Sequence, residues 1–308
     1  MEVSNTKQQH QSASISLTKP VRCIVKLGGA AITCKNELET INEENLKTVS
    51  SQLRQSMTTG SNSGEVLGMD WSKQPGESEI SSTLSDFEDW PVVDSSPFIV
   101  VHGAGSFGHF QASKSGVHKG GLYQPLVKAG FVATRISVTK LNLEIVRALA
   151  REGIPSIGMS PFSCGWSTCE RNIASADLSA VAKAIESGLV PVLHGDAVLD
   201  DLLDCTILSG DVIISHLAAH LKPEYVVFLT DVSGVYDRPP SDPNAVLLRE
   251  IAVANDGSWS IEKPTFQNKN KQGEQGCCSF NITITEGVLC SSVCLNGAHI
   301  DGGCHVNS

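Results

Sequence analysis

The stretch VHGAGSFGHF, residues 101–110, combines a buried-strand pattern with three glycines and a histidine. Gly103, Gly105 and Gly108 have the G-x-G-x-x-G spacing of a dinucleotide-binding turn, in which the backbone approaches a pyrophosphate closely. That motif also requires an acidic residue about 20 positions later for the ribose hydroxyls. No Asp or Glu occurs from Gly103 to Leu143. The loop is therefore predicted to bind another kind of phosphate, although a phosphorylated ribose with a basic partner stays open.

A second glycine loop precedes the first one in the chain, within VKLGGAAITCK. Lys26 lies on a strand, Gly28 and Gly29 form the turn, and Lys35 follows it. The chain has no G-x-x-x-x-G-K-[ST] motif, so this loop is not a Walker-type P-loop. Two amide-lined loops with two lysines and His109 suit two anionic groups held close together. Phosphoryl transfer between two phosphates requires this arrangement, because fixed donors must offset the repulsion between the anions.

Both loops belong to a chain in which apolar strands alternate with helices. We predict strands in VRCIVKLGG, PFIVVHG, IPSIGMS, LVPVLHGD and EYVVFLTDVSGVY, and helices in INEENLKTVSSQLRQSM, RISVTKLNLEIVRALAREG, ADLSAVAKAIESG and LSGDVIISHLAAHLKP. This alternation indicates an α/β fold with a mainly parallel central sheet that is covered on both faces. Ligands of such sheets bind beyond the carboxyl ends of the strands, where the glycine loops are expected to meet.

Composition and charge restrict the classes of function. The chain has 308 residues and a formal net charge of −10, so neither nucleic acid nor an anionic membrane surface is an expected partner. No apolar run is long enough to span a bilayer. Residues 1–19 are predicted to be a disordered leader without a targeting signal, which favours a cytoplasmic protein. The acidic, Ser- and Gly-rich residues 59–97 are predicted to be a flexible surface insertion.

Four segments together resemble the amino acid kinase superfamily: KLGGAAITCK, VHGAGSFGH, ILSGDVI and FLTDVSGVYD, in this order. The histidine of GAGSFGH makes the chain similar to isopentenyl phosphate kinases, in particular to the plant form. The resemblance covers roughly residues 20–259, and residues 20–263 are expected to form the kinase domain. It implies an open αβα sandwich and ATP-dependent phosphorylation of isopentenyl phosphate to isopentenyl diphosphate in isoprenoid biosynthesis. The expected cofactors are ATP and Mg²⁺, and the expected assembly is a homodimer.

The resemblance also implies a role for each site residue. Catalytic roles fall on Lys26, Lys35, His109 and Asp211; Asp211 would orient the lysines, and His109 would donate a hydrogen bond to the acceptor phosphate. The ATP site would consist of Lys26, Gly28, Gly29, Gly105, Asp231, Tyr236, Asp237, Arg238 and Pro239. The substrate would contact Ala104, His109 and Gly210. No residue is expected to ligate a metal, and Phe110, Ile157 and Met159 are candidates for the pocket of the five-carbon tail.

The resemblance ends before the chain does. Members of the superfamily continue into a GGM-x-x-K segment, whose lysine reaches the β- and γ-phosphates of ATP, and then into a closing strand and helices. Here Gly302 and Gly303 are followed by Cys304 and His305, with no lysine after them. Residues 264–308 are predicted to be a poorly ordered cysteine-rich tail, so the fold is expected to be incomplete at that end. Two alternatives stay open: a kinase of this superfamily that acts on a carboxylate, and a catalytically impaired variant that acts by binding or dimerisation.

Overall fold

A computed structural model describes residues 17–57, 70–72, 97–239, 241–253, 259–263 and 289–294. Most of the predicted leader, of the acidic insertion and of the cysteine-rich tail lies outside the described residues. The predictions for those three segments therefore stay predictions.

The centre of the described fold is a parallel β-sheet. It has six strands in the part of the chain that the structure describes, and their order across the sheet is Leu289–Cys294 (β14), Tyr225–Thr230 (β9), Cys23–Leu27 (β1), Phe98–His102 (β2), Val190–His194 (β6) and Ser156–Met159 (β3). All neighbouring pairs are parallel. Five of these strands were predicted from their apolar sequences, and the mainly parallel sheet is confirmed.

Helices cover both faces of this sheet. Ile24 packs in one core cluster with α5 (Ser179–Glu186) and α6 (Gly210–Leu221), whereas the next residue, Val25, packs in another with α2 (Glu43–Met57) and α4 (Pro125–Arg151). Successive side chains of a strand point to opposite faces, so a sheet covered on both faces needs apolar residues at every position. The three layers confirm the open αβα sandwich.

The remaining elements connect these layers. Short helices follow the first two strands: α1 (Gly29–Ile32), α3 (Gly105–Ser115) and a 3₁₀ turn at Val117–Lys119. A second sheet, in the order β5-β4-β7-β8, consists of β5 (Asn172–Ser175), β4 (Ser167–Cys169), β7 (Asp196–Asp200) and β8 (Asp204–Leu208). Neither α3 nor this second sheet was predicted. No helix in the described ranges is long and apolar enough to cross a membrane.

The C-terminal part of the described chain forms short hairpins and one more strand. The hairpins pair β10 (Val235–Tyr236) with β11 (Leu247–Leu248), and β12 (Glu250–Val253) with β13 (Trp259–Lys263). Strand β14 then pairs with β9 over its whole length. The tail therefore supplies a strand of the central sheet, which its sequence had not indicated.

Candidate active site

Four neighbouring strands of the central sheet end at the same edge. Strands β9, β1, β2 and β6 run parallel, so the segments that follow them share one side of the molecule. Strand β1 leads into the loop at Gly28, β2 into the loop at Gly103 and β9 into the turn at Asp231. Helix α6 begins at Gly210, whose ideal Cβ position lies 3.5 Å from the carbonyl oxygen of His102. The polar segments that were predicted to converge do converge.

The two glycine loops pack against each other through their backbones. A Cβ atom placed on Gly29 would lie 2.4 Å from the nitrogen of Gly105, and one placed on Gly103 would lie 2.9 Å from the nitrogen of Gly29. Gly105 also has φ +50°, a conformation that side chains other than glycine rarely adopt. These glycines are required by a close approach of two backbones. The approach brings the amides of two different loops to one place.

Thr33 ties the two loops together, and its role was not predicted. Its hydroxyl donates to the carbonyl oxygen of Gly29 at 2.8 Å and accepts from the buried N–H of Ser106 at 3.1 Å. The side chain therefore links the first turn of α3 to α1. In the sequence, the only indication of this role was the position of Thr33 in the first glycine loop, seven residues after Lys26.

The N–H groups of three glycines at strand ends bond to the neighbouring strand. Gly28 donates to Leu229 at 2.8 Å, Gly103 to Leu27 at 2.9 Å and Gly195 to His102 at 3.0 Å. This result corrects one part of the prediction. The amide of Gly28 was expected to hold an ATP phosphate, but it is already used by the sheet, so in this loop Gly29 carries the available N–H.

Four further amides at this edge have no acceptor within the described chain: those of Gly29, Ala104, Gly105 and Gly210. Each lies at or next to the start of a helix, where the first N–H groups have no intrahelical partner. Helix α6 has a conventional cap, since the Ser209 hydroxyl accepts from the N–H of Val212. Amides in such positions bind anions. All four were predicted as phosphate contacts from the family resemblance.

Lys26 and Asp211 form an ion pair at this edge. Lys26 is the fourth residue of β1 and its side chain is only 15% exposed, whereas Asp211, in the first turn of α6, is 60% exposed. Lys26 also lies 5.7 Å from the centroid of the Phe228 ring. A mostly buried ammonium group is costly without a partner, and the carboxylate of Asp211 offsets part of that cost. The expected orienting role of Asp211 therefore has a structural basis for one of the two lysines.

Lys35 pairs with Asp231 instead, at 2.5 Å. Its side chain is 63% exposed, and it reaches across from the α1 side to the end of β9. Asp231 was expected in the nucleotide wall, and the structure brings it to the second lysine. An exposed pair of this kind is weak, so the lysine is free to turn toward a phosphate.

His109 is exposed on α3, one turn after Gly105. Phe107 and Gly108, its predecessors on the helix, are buried, and Gly108 packs against Val138 of α4. The helix therefore presents the imidazole on the side that faces away from α4. His109 lies outside the hydrophobic core and is available for a ligand.

Four of the five residues predicted for the nucleotide wall, Tyr236, Asp237, Arg238 and Pro239, lie in the β10–β11 hairpin. Asp237 fixes this hairpin, because one carboxylate oxygen accepts from the N–H of Val246 at 2.8 Å and the other from the guanidinium of Arg238 at 3.0 Å. Hydrogen bonding to Asp237 and its charge raise the pKa of Arg238. Tyr236 is half-buried and Pro239 is exposed. Asp237 thus stabilises the conformation of the hairpin and holds the guanidinium of Arg238 in place.

The candidates for an apolar pocket are less well defined. Ile157 and Met159 are half-buried on one face of β3, and Met159 packs on the core, while Phe110 is half-buried on α3. A cavity of about 500 Å³ lies elsewhere, at the amino ends of β3 and β6, and is lined by Trp71, Leu143, Val146, Arg147 and Leu189 among others. That cavity is at the opposite end of the strands from the glycine loops. The tail pocket stays a prediction.

A buried acidic group near β6 was missed by the sequence analysis. Asp196 is 1% exposed and accepts from Arg135 at 3.3 Å and from the Ser160 hydroxyl at 2.6 Å. Arg135 also stacks on Phe162, with its guanidinium carbon 4.0 Å from the ring centroid. These contacts anchor α4 to the end of β3. The only signal in the sequence was the polar segment HGDAVLD after a predicted strand.

Comparison with known proteins agrees with the fold and the loops. Residues 21–272 match the model of the amino acid kinase family. The chain is similar to an isopentenyl phosphate kinase of Arabidopsis thaliana, with 68% identity over 272 residues, which are 88% of this chain and 82% of the relative. An isopentenyl phosphate kinase of Methanothermobacter thermautotrophicus is 33% identical over 240 residues, with 76% of each chain covered.

Solved structures show the same relationship. X-ray structures of an isopentenyl phosphate kinase include a chain that is similar to this one with a TM-score of 0.59 and 32% sequence identity. The match covers 74% of this chain and 81% of that chain.

Proposed function

Because this chain belongs to the amino acid kinase family and, within it, to the isopentenyl phosphate kinases, we propose that it transfers a phosphoryl group from ATP to isopentenyl phosphate. An oxygen of the acceptor phosphate attacks the γ-phosphorus of ATP. The bond between that phosphorus and the β–γ bridging oxygen breaks, so the products are isopentenyl diphosphate and ADP. The enzyme is a phosphotransferase whose acceptor is itself a phosphate.

The contact between the two glycine loops is the observation that carries this proposal. Gly29 comes from the loop of Lys26 and Lys35, and Gly105 from the loop of His109, and their backbones touch. Two phosphates that react must lie within a few ångströms of each other, and their charges repel. The amides of both loops, together with Lys26 beside the first loop and His109 in the second, can hold two phosphates close together and offset their repulsion.

The acceptor side needs positioning and no strong base. The reacting oxygen belongs to a phosphate group whose second pKa is about 6, so it is already anionic near neutral pH. In the proposed site, the amides of Ala104 and Gly210 and the imidazole of His109 hold that phosphate, and the amide of Gly105 lies between it and the ATP phosphates. Helix α6 adds its positive end at Gly210. His109 distinguishes this acceptor from a carboxylate, which does not call for a histidine at this place.

The donor side depends on the two lysines. We place Lys26 and the amide of Gly29 on the ATP phosphates, and Lys35 on the phosphoryl group in transfer. Asp211 supports Lys26 and Asp231 supports Lys35, through the ion pairs that they form. Tyr236, Arg238 and Pro239 line the nucleotide.

Magnesium accompanies ATP in this proposal. Within the described residues no three His, Cys, Asp or Glu side chains converge as a metal cage. In this proposal the ion would be held mainly by the nucleotide phosphates and would keep several waters, as Mg²⁺ usually does. When bound, the ion neutralises developing charge on the β- and γ-oxygens.

A second candidate, an impaired variant, stays open, because residues 264–308 contain no GGM-x-x-K segment. Lys263, Lys269 and Lys271 are the last lysines of the chain, and none lies in that motif. Removing one cation from a phosphate clamp costs several kcal/mol of transition-state stabilisation in comparable sites. On this view the chain binds ATP and acceptor but transfers slowly.

A coupled assay for ADP tests both candidates, with isopentenyl phosphate, acetylglutamate and carbamate as acceptors. We expect turnover on isopentenyl phosphate alone. Equal turnover on a carboxylate would contradict the proposal. A folded protein that gains thermal stability from ATP and Mg²⁺ yet turns over no acceptor would establish the impaired variant.

The assembly is proposed to be a homodimer. Val132, Ile136 and Leu143 are 53–67% exposed and share one face of α4, since residues four and seven apart lie on the same side of a helix. Apolar side chains in such a stripe are typical of a protein–protein interface. Ile136→Asp is expected to convert a dimer into a monomer in sedimentation velocity, whereas a wild-type monomer would contradict this proposal. The cytoplasmic location stays a prediction.

A further inference from the structure

A buried chain of hydrogen bonds runs beneath the acceptor loop. His102 is the last residue of β2 and has no exposed surface, and Asn142 of α4 is 5% exposed. The side-chain nitrogen of Asn142 donates to Nε2 of His102 at 3.1 Å and to the carbonyl oxygen of Val192 at 3.0 Å. On its other side, Nδ1 of His102 lies 3.0 Å from the carbonyl oxygen of Gly103. These hydrogen bonds thus link α4 and β6 to the peptide group between Gly103 and Ala104.

These contacts fix the protonation state of His102. Both protons of the Asn142 amide are used, so Nε2 of His102 must accept and the ring proton must be on Nδ1. Nδ1 then donates to Gly103. Burial, reinforced by the neighbouring His194, lowers the pKa of His102 to about 3. The ring is therefore neutral near neutral pH and holds a single orientation.

Gly158 of β3 leaves the space that Asn142 needs. A Cβ atom on Gly158 would lie 2.2 Å from Oδ1 of Asn142. Any larger residue would displace the amide and with it the hydrogen bond to His102. The absence of a side chain at Gly158, on the edge strand β3, is therefore needed for the hydrogen bonds that reach the Gly103 loop.

We infer that His102 and Asn142 are positioning residues that aim the N–H of Ala104 at the acceptor phosphate. The peptide between Gly103 and Ala104 is planar and trans, so its N–H points opposite to its C=O. His102 holds the C=O toward the interior of the protein, which directs the N–H away from the ring. This inference rests on the proposed function, because the acceptor phosphate is the ligand that the N–H would meet.

The neighbouring strand repeats this arrangement. Nδ1 of His194 lies 3.0 Å from the carbonyl oxygen of Gly195, and the two imidazoles stack with centroids 5.5 Å apart. His102 and His194 are partners in the register of β2 and β6. The ideal Cβ position of Gly195 is 3.9 Å from the nitrogen of Ala104, so both rings support backbone that adjoins the same amide.

Two substitutions of His102 separate positioning from packing. His102→Leu keeps an apolar volume but removes the donor to Gly103. His102→Asn can still donate from its side-chain nitrogen to that carbonyl. We expect His102→Leu to lower kcat on isopentenyl phosphate about 30-fold, with the KM for ATP within about twofold, because a misaimed amide acts on the transition state. His102→Asn should recover kcat to within about threefold of wild type.

Val100→Ala is the matched control, since Val100 is fully buried in the same strand and takes no part in the chain of hydrogen bonds. It should lower the melting temperature and leave kcat unchanged. If Val100→Ala slows the reaction as much as His102→Leu, or if His102→Asn is as slow as His102→Leu, the inference is wrong. If His102→Leu does not fold, Asn142→Leu replaces it, with an expected loss of kcat in the same direction.

A spectroscopic measurement keeps the inference testable if the proposed function fails. In ¹⁵N spectra of the imidazoles, His102 should be neutral and protonated at Nδ1, and Asn142→Leu should shift this resonance. A ring protonated at Nε2 would overturn the inference whatever the substrate. Wild-type protein without activity but with the Nδ1-protonated ring would refute the proposed function and support the orientation of the loop.

Discussion

The acceptor side and the nucleotide side of the site are constructed differently. On the acceptor side, Gly103 and Gly105 are pressed against Gly29, and buried histidines on two strands, His102 and His194, hold the adjoining backbone from below. On the nucleotide side, the residues after β9 form a hairpin with two residues in each strand, whose shape depends on contacts of Asp237. One side is fixed by backbone packing, and the other by side-chain hydrogen bonds and partly exposed ion pairs.

This difference indicates where selectivity resides. A backbone amide in a packed loop cannot adapt to an acceptor of another shape, because moving it displaces a neighbouring backbone. Exposed pairs such as Lys35–Asp231 contribute little to stability and exchange partners easily. We therefore expect substitutions in the packed glycine loops to lower turnover most, and substitutions in the hairpin after β9 to change mainly the affinity for the nucleotide.

The largest expected effect is that of Gly29→Ala. Its Cβ would lie 2.4 Å from the backbone nitrogen of Gly105, and neither backbone has room to withdraw. We expect a loss of about 3 kcal/mol or more of unfolding free energy and no detectable turnover. Urea unfolding and the coupled assay measure the two effects.

Gly116→Ala is the control for this substitution. Gly116 has φ +77°, but nothing lies within 4 Å of its Cβ position. It should cost only the backbone strain of about 1 kcal/mol and keep full activity. A loss at Gly29 no larger than the loss at Gly116 would mean that the contact between the loops does not explain the requirement for glycine at this position.

His109→Ala should reduce kcat/KM for isopentenyl phosphate by about 10²- to 10³-fold, because one donor to a charged group is removed. The unfolding free energy should change by less than about 0.5 kcal/mol, since His109 is exposed. Ser113→Ala, one turn further along the exposed side of α3, serves as the control. Normal activity of His109→Ala would remove the main reason for placing the acceptor phosphate at this loop.

The sequence predicted what is local and missed what depends on distant packing. The apolar runs of β1, β2 and β6 are recognisable because both faces of the sheet are buried, and the loops at their ends follow from that. Helix α3 was missed because its two internal glycines disfavour a helix. It forms nevertheless, since Gly108 and Gly130 let it pack closely on α4.

Residue types in the site were also easier to predict than their partners. Lysines and aspartates at strand ends indicated phosphate chemistry, but Lys26 and Asp211 are 185 positions apart. Nothing in the sequence showed that Asp231 would pair with Lys35. The hydrogen bonds of His102 were equally hidden, because a histidine at the end of an apolar strand has no local signature.

Acid should weaken the acceptor side through its buried histidines. His102 has an ordinary pKa of 6.5 that burial lowers to about 3, and burial also lowers the pKa of His194. Between these two values for His102 the unfolded chain binds a proton that the folded chain excludes. Stability should therefore fall as pH falls from about 6.5 toward 3, by up to about 1.4 kcal/mol per pH unit for this one group.

Urea unfolding at pH 7, 6, 5 and 4 measures this dependence. His102→Asn should be less stable than wild type at pH 7 but should lose stability less steeply as the pH falls. Parallel curves for the two proteins would show that His102 titrates alike in the folded and unfolded states.

The smallest expected effect is that of Arg238→Ala on the nucleotide side. The guanidinium is 40% exposed and bonds to Asp237, so its removal leaves the packed loops untouched. We expect the KM for ATP to rise about two- to fivefold, with kcat and the KM for isopentenyl phosphate unchanged. Arg249→Ala, an exposed arginine near the same hairpin, should change neither constant. If Arg238→Ala instead lowers kcat as much as His109→Ala does, the nucleotide side takes part in the chemical step, and the proposed division between a fixed acceptor side and an adjustable nucleotide side is wrong.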